Sequence, residues 1–146
     1  MLSRMINRAD KNERGFTLVE LLVVMIIIGV LAATAIPTFL SQRAKAHDSA
    51  TKADVSNLGK EIAAYWVDGS GPLVLDASNP GRIDLQDGSS YSTFARLTVG
   101  SRPPAIGSSA RLDDSLGWCV SLTDPAGSAK DFRYSAAGGL ESGTCS

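Results

Sequence analysis

The sequence predicts an α+β subunit. A long N-terminal helix, its first half membrane-spanning and its second half amphipathic, packs on a small antiparallel β-sheet. Three observations point there. Residues 16–40 carry a single charged side chain, Glu20, in a run long enough as a helix to cross a hydrocarbon core of about 30 Å. From Leu40 to Trp66, apolar side chains recur at steps of three and four, the period of one helix face. Beyond Gly69, short alternating runs are separated by Gly, Pro, Asn and Asp clusters, as in strands joined by turns.

The elements follow in order. Residues 1–15 have no apolar periodicity, and Arg4, Arg8, Lys11 and Arg14 outweigh Asp10 and Glu13. This is a processing leader rather than structure, and its positive charge before an apolar span predicts a cytoplasmic N-terminus. The span must be helical, because a single segment in lipid has to satisfy its own backbone hydrogen bonds. A carboxylate within it is costly and therefore functional by default, in need of a partner. Ala33-Thr34-Ala35 has the small residues of an ordinary secretory cleavage site. The apolar run before it exceeds the usual ~7–15 residues of a signal peptide, and it contains Glu20. An unprocessed membrane anchor is the other alternative.

Arg14-Gly15-Phe16-Thr17-Leu18-Val19-Glu20-Leu21-Leu22-Val23 resembles the cleavage site of type IV prepilins and of type II secretion pseudopilins. The matching features are a glycine before the cut, an aromatic first mature residue and a glutamate at the fifth mature position. The resemblance covers about the first third of the chain. It implies cleavage between Gly15 and Phe16 by a prepilin peptidase, and N-methylation of Phe16 by the same membrane enzyme. It also implies assembly with copies of itself and other pilins, driven by an inner-membrane platform and its cytoplasmic ATPase. Glu20 of one subunit would meet the Phe16 amine of its neighbour. An α-amino group, with a reference pKa near 7.8, is largely cationic at neutral pH, and a nearby opposite charge lowers the cost of burying a carboxylate. Gly29 and Pro37 fall where such helices are commonly loosened; Pro37 removes one backbone hydrogen bond. Before assembly the subunit would be a single-pass membrane protein with its head outside the cytoplasm. Afterwards it would sit in a surface pilus or in a periplasmic or wall-spanning pseudopilus.

The head is expected over residues 41–146. Its amphipathic helix, residues 41–67, carries the stripe Leu40, Ala44, His47, Thr51, Val55, Leu58, Ile62 and Tyr65 or Trp66, read as core. The helix stops at Asp68-Gly69-Ser70-Gly71-Pro72. Residues 68–115 read as a turn-rich loop region, which the resemblance implies is variable, with short extended pieces at 73–75 and 83–85 and a better strand over 91–99. In that strand Thr93, Ala95, Leu97 and Val99 share one face. Residues 101–115 read as loop. Residues 116–146 read as a closing hairpin turned at Asp124-Pro125-Ala126-Gly127, with Gly138-Gly139 and Gly143 loosening the tail. Cys119 and Cys145 lie on the oxidising side of the span, so they are expected to pair; two free thiols are the alternative.

Little else carries chemistry. The lone histidine, His47, reads as a packed core residue. Neither zinc spacing nor a phosphate-binding glycine loop is present, so the chain reads as a non-enzyme without cofactor or metal. Asp76, Asp84, Asp87, Asp113 and Asp114 form no recognisable calcium loop and read as solvated turn carboxylates. Arg82, Arg96, Arg102 and Arg111 are interspersed with acids, without interleaved aromatics, and read as solvated surface rather than a nucleic-acid groove.

Overall fold

The computed structural model describes residues 15–90, 92–99 and 104–146. The leader over residues 1–14, Tyr91, Arg102 and residue 103 lie outside them. The chain divides into two compact units, Met1–Thr38 and Phe39–Ser146. Helix α1 (Leu18–Asp68) includes Pro37.

In the first unit α1 is apolar on all sides. Leu18, Leu21, Val24, Ile27, Ile28 and Leu31 are all more than 45% exposed. A helix apolar all round belongs inside something larger than one chain. Mean hydropathy reaches 2.7 over its best 18-residue window, enough to cross a membrane. The hydroxyls of Thr34 and Thr38 donate to the carbonyls of Leu31 (3.0 Å) and Thr34 (3.2 Å). Such back-bonding lets polar side chains, and the backbone near a proline, stay satisfied in an apolar medium.

In the second unit the predicted stripe turns inward from Thr51 onward. Thr51, Val55, Leu58, Gly59, Ile62 and Tyr65 are buried, Ala44 and His47 are half-buried, and Leu40 is exposed. The helix ends where Gly69 N–H caps the Tyr65 carbonyl (2.7 Å) and the Tyr65 hydroxyl donates to the Gly71 carbonyl (3.1 Å) and Asp87 (3.4 Å).

Two antiparallel sheets stand where a single one was expected. The first has the order β1 (Leu73–Asp76), β2 (Arg82–Asp87), β3 (Thr93–Thr98). The β1–β2 turn is the predicted Ser78–Gly81 segment, with Gly81 at φ 74°, a conformation that favours glycine. Ile83, Leu85, Leu97 and Val99 enter the core. Thr93 does not. Gln86 pairs with Thr93 and Leu85 with Ala95, leaving Phe94 as the extra residue of a bulge. The bulge resets the alternation: Thr93 faces solvent, and Phe94 meets the Tyr65 ring edge-on at 5.5 Å.

The second sheet has the order β4 (Ala105–Ile106), β5 (Cys119–Thr123), β6 (Asp131–Ser135), β7 (Gly139–Ser142). It corrects two expectations. Residues 105–106 are a strand, not loop, too short to show any period but fixed by pairing with Leu122 and Thr123. Gly139 opens a further strand, paired with β6, rather than loosening the tail; at φ 66° it makes the tight β6–β7 turn. Val120, Leu122 and Phe132 complete the core with Trp118. Ser121 on the opposite face is buried as well, because Gly107 lies against its hydroxyl, with Gly107 N–H donating to the Ser121 carbonyl at 2.8 Å.

Cys119 and Cys145 form a disulfide across 26 residues, which ties the centre of the second sheet to the segment after β7. A loop of that size contributes about 3.5 kcal/mol on the chain-entropy account. Gly59 lies under Tyr134, close enough that a Cβ there would meet its ring. Tyr134 in turn stacks on Trp118, with ring centroids 5.9 Å apart and planes at 4°.

Candidate functional site

The site most loaded with polar geometry is the start of α1. Thr17 is its N-cap. The Thr17 carbonyl accepts the first helical bond from Leu21 N–H (3.3 Å), and its hydroxyl oxygen accepts Glu20 N–H (3.2 Å). Glu20 reaches back, and its Oε2 accepts both Thr17 N–H (2.9 Å) and the Thr17 hydroxyl (2.8 Å). This is a reciprocal capping box, in which N-cap and third helical residue satisfy each other's orphan N–H groups. An acid in the first turn also complements the positive end of the helix dipole. Among the described residues Oε1 of Glu20 accepts nothing. Phe16, directly before the cap, is 81% exposed. Thr17 thus has a role that the cleavage-site motif does not assign to it. Its signal was legible, since a threonine three residues before a glutamate at the head of an apolar run is a capping-box pattern.

The remaining expected positions fall elsewhere. Gly29 has open space around its Cα. Asp84 is no solvated turn carboxylate: it lies in β2, buried, paired with Arg82 Nη2 (2.8 Å) and Arg96 Nε (3.1 Å). Arg96 lies opposite it on β3 and Arg82 two residues back on its own strand, and these two cations offset the cost of burying it. Asp76 does hold a turn. It accepts Ser78 N–H at 2.9 Å, a bond to the charged form that pulls its pKa down. Asp54, half-buried on α1, has its pKa pushed up by loss of water. Burial, then the charge of Asp87, raises that of Tyr65. Among the described residues no three His, Cys, Asp or Glu side chains converge as a metal site.

His47 is not simply packed. Its Nδ1 lies 3.0 Å from Oδ2 of Asp124, which is buried. Next to it, the Asp48 carboxylate accepts the N–H groups of Ala129 (3.0 Å) and Lys130 (3.3 Å), holding Lys130 at a φ of 67°. Two consecutive helix residues thus grip the β5–β6 turn. Only the three-dimensional fold brings residues about 80 positions apart into this latch.

Comparison with known proteins gives the start of α1 its context. The prokaryotic N-terminal methylation motif matches residues 10–36. A fimbrial protein of Pseudomonas aeruginosa is 31% identical over 108 residues, 62% of this chain and 70% of that protein. The chain belongs to the type IV pilin and pseudopilin family. Within that family, the type IV major fimbrial protein FimA of Dichelobacter nodosus is 33% identical over 110 residues, 75% of this chain and 66% of that protein. The type II secretion system core protein G of Dickeya chrysanthemi is 34% identical over 61 residues, covering 42% of this pilin-family chain but only 40% of the relative. No solved structure matches.

Proposed function

We propose that this chain is the structural subunit of a type IV pilus or a closely related filament. A prepilin peptidase cuts between Gly15 and Phe16 and the exposed Phe16 amine is methylated. The apolar half of α1 anchors the subunit in the membrane with the head outside. Assembly then moves that helix from lipid into a bundle with its copies and other pilins, on a membrane platform powered from the cytoplasm. Gly29 and Pro37 let the segment yield as it packs.

One observation carries the reading. A helix apolar on every side, exposed in the isolated chain, begins directly behind the cleavage motif and is capped by the one acid of the span. Hydrophobic burial supplies the drive but no direction. Direction comes from Glu20. Its Oε2 holds the cap while Oε1 remains available to the Phe16 amine of the next subunit, so the carboxylate can make an intersubunit pair without dismantling its own helix end.

A second reading, the secretion pseudopilin, is favoured by the likeness to core protein G over 61 residues. N-terminal peptide mass spectrometry on sheared and membrane fractions tests both. A peptide beginning at Phe16, heavier by one methyl, in a high-molecular-weight sheared fraction is the expected result. The same peptide in the membrane fraction alone favours the pseudopilin or a minor or DNA-uptake pilin. A start at Ile36 or an intact leader overturns the assembly mechanism.

A further inference from the structure

Just past the apolar span, Leu40, Arg43, Ala44 and His47 of α1 and Ala126 of the β5–β6 turn line a cavity of about 300 Å³. Arg43 gives it a fixed cation, His47 an imidazole, and its two alanines are small. Among the described residues Arg43 makes no hydrogen bond or ion pair. The acids nearby are committed: Asp48 accepts the N–H groups of Ala129 and Lys130, and Asp124 accepts Ala126 N–H and faces His47 Nδ1. A carboxylate only accepts, so the bond to Asp124 puts a hydrogen on Nδ1 and leaves Nε2 as the ring's unused nitrogen. With a hydrogen on each ring nitrogen, Nε2 would donate to an anion while Nδ1 donates to Asp124.

Position names the anion. At about 1.5 Å per residue, Arg43 and His47 stand roughly 4.5 Å and 10.5 Å along the helix beyond Leu40, the last residue of the apolar run. The polar layer on each side of a bilayer is about 5–8 Å thick. The pair therefore brackets the height of the lipid phosphates.

We propose that the Arg43–His47 cavity binds the phosphate of a phospholipid headgroup. The inference rests on the reading of residues 16–40 as membrane-spanning. Arg43 supplies a planar fork for the phosphate oxygens, and His47, braced by Asp124, supplies the second donor. The bound lipid fixes the depth and rotation of the subunit in the bilayer before it joins a filament.

The test uses the full chain in vesicles of phosphatidylethanolamine and phosphatidylglycerol in phosphate-free buffer, with ¹⁵N in the ring of the single histidine. Flotation shows whether the chain inserts, and ³¹P dephasing of the His47 nitrogen signal reads contact with phosphorus. The expected result is dephasing at the range of a direct N–H···O bond of about 2.8 Å, lost in Arg43→Gln. Flotation without dephasing overturns the site. Failure to float overturns the membrane reading and the inference with it. In phosphorus-free galactolipid vesicles, inorganic phosphate is added as a separate arm; dephasing there but not with phospholipid overturns the lipid assignment.

Discussion

Gly59→Ala should destabilise the head, against the usual sign for a glycine in a helix. At an ordinary exposed position alanine is favoured by about 1 kcal/mol. Here the added Cβ meets Tyr134 at the near end of its side chain: Cβ lies 2.9 Å away, and the first ring atoms are closer still. A rotamer change cannot remove a clash with the side chain's own root, and the ring is held by its stack on Trp118. Overpacking of this kind costs about 1–3 kcal/mol. With the propensity gain subtracted, a net loss of about 1 kcal/mol is expected, or about 4–8 °C in Tm for a domain of this size. Thermal unfolding of the full chain in detergent, followed by tryptophan fluorescence, measures it; Trp118 reports on the stack directly. In a Tyr134→Ala background most of the penalty should vanish, a coupling expected only of residues in contact. If Gly59→Ala instead raised Tm in the otherwise unaltered chain, the packing argument for this glycine would be wrong.

Three further outcomes are expected. Cys119→Ser should lower stability by about 3.5 kcal/mol, seen as a fall in Tm that a reducing agent reproduces in the parent chain but not in the variant. Thr17→Ala, which removes the N-cap, should weaken the first turn of α1 by about 1 kcal/mol, read as faster amide exchange at Glu20, with the second sheet unaffected. Asp54, its folded pKa raised by burial, contributes full stability below its unfolded pKa near 3.8 and loses it as pH rises through the folded value. Asp54→Asn should therefore stabilise the head at pH 7 and leave it unchanged near pH 3, as urea unfolding at the two pH values will show.

What was legible in the sequence is what local periodicity and local chemistry encode. The span, the helix stripe from Thr51 to Tyr65 and its Asp68–Pro72 stop all follow from spacing that a single element imposes on itself. The β1–β2 turn was readable for the same reason, since Pro80 and Gly81 dictate it. Three features were not readable because pairing between strands creates them. A two-residue β4 exists only by pairing with β5. Phe94 changes sides because β3 has one residue more than β2 can match. Asp84 is buried because Arg82 and Arg96 flank it, and no count of loop carboxylates reveals that. At the site, Glu20 stood out as a charge in an apolar run. Thr17 is a lone hydroxyl beside an apolar run, and only its spacing from Glu20 marks it as a cap.

The disulfide also sets an order of events. Cys119 sits in β5, the strand between β4 and β6, while Cys145 lies beyond β7. On the proposed topology the bridge cannot close until β6, β7 and Cys145 have all emerged on the oxidising side. Closure thus reports that the second sheet has been delivered whole. A chain stalled in transit would still have a free thiol at Cys119, a chemical mark of immaturity that a finished subunit lacks.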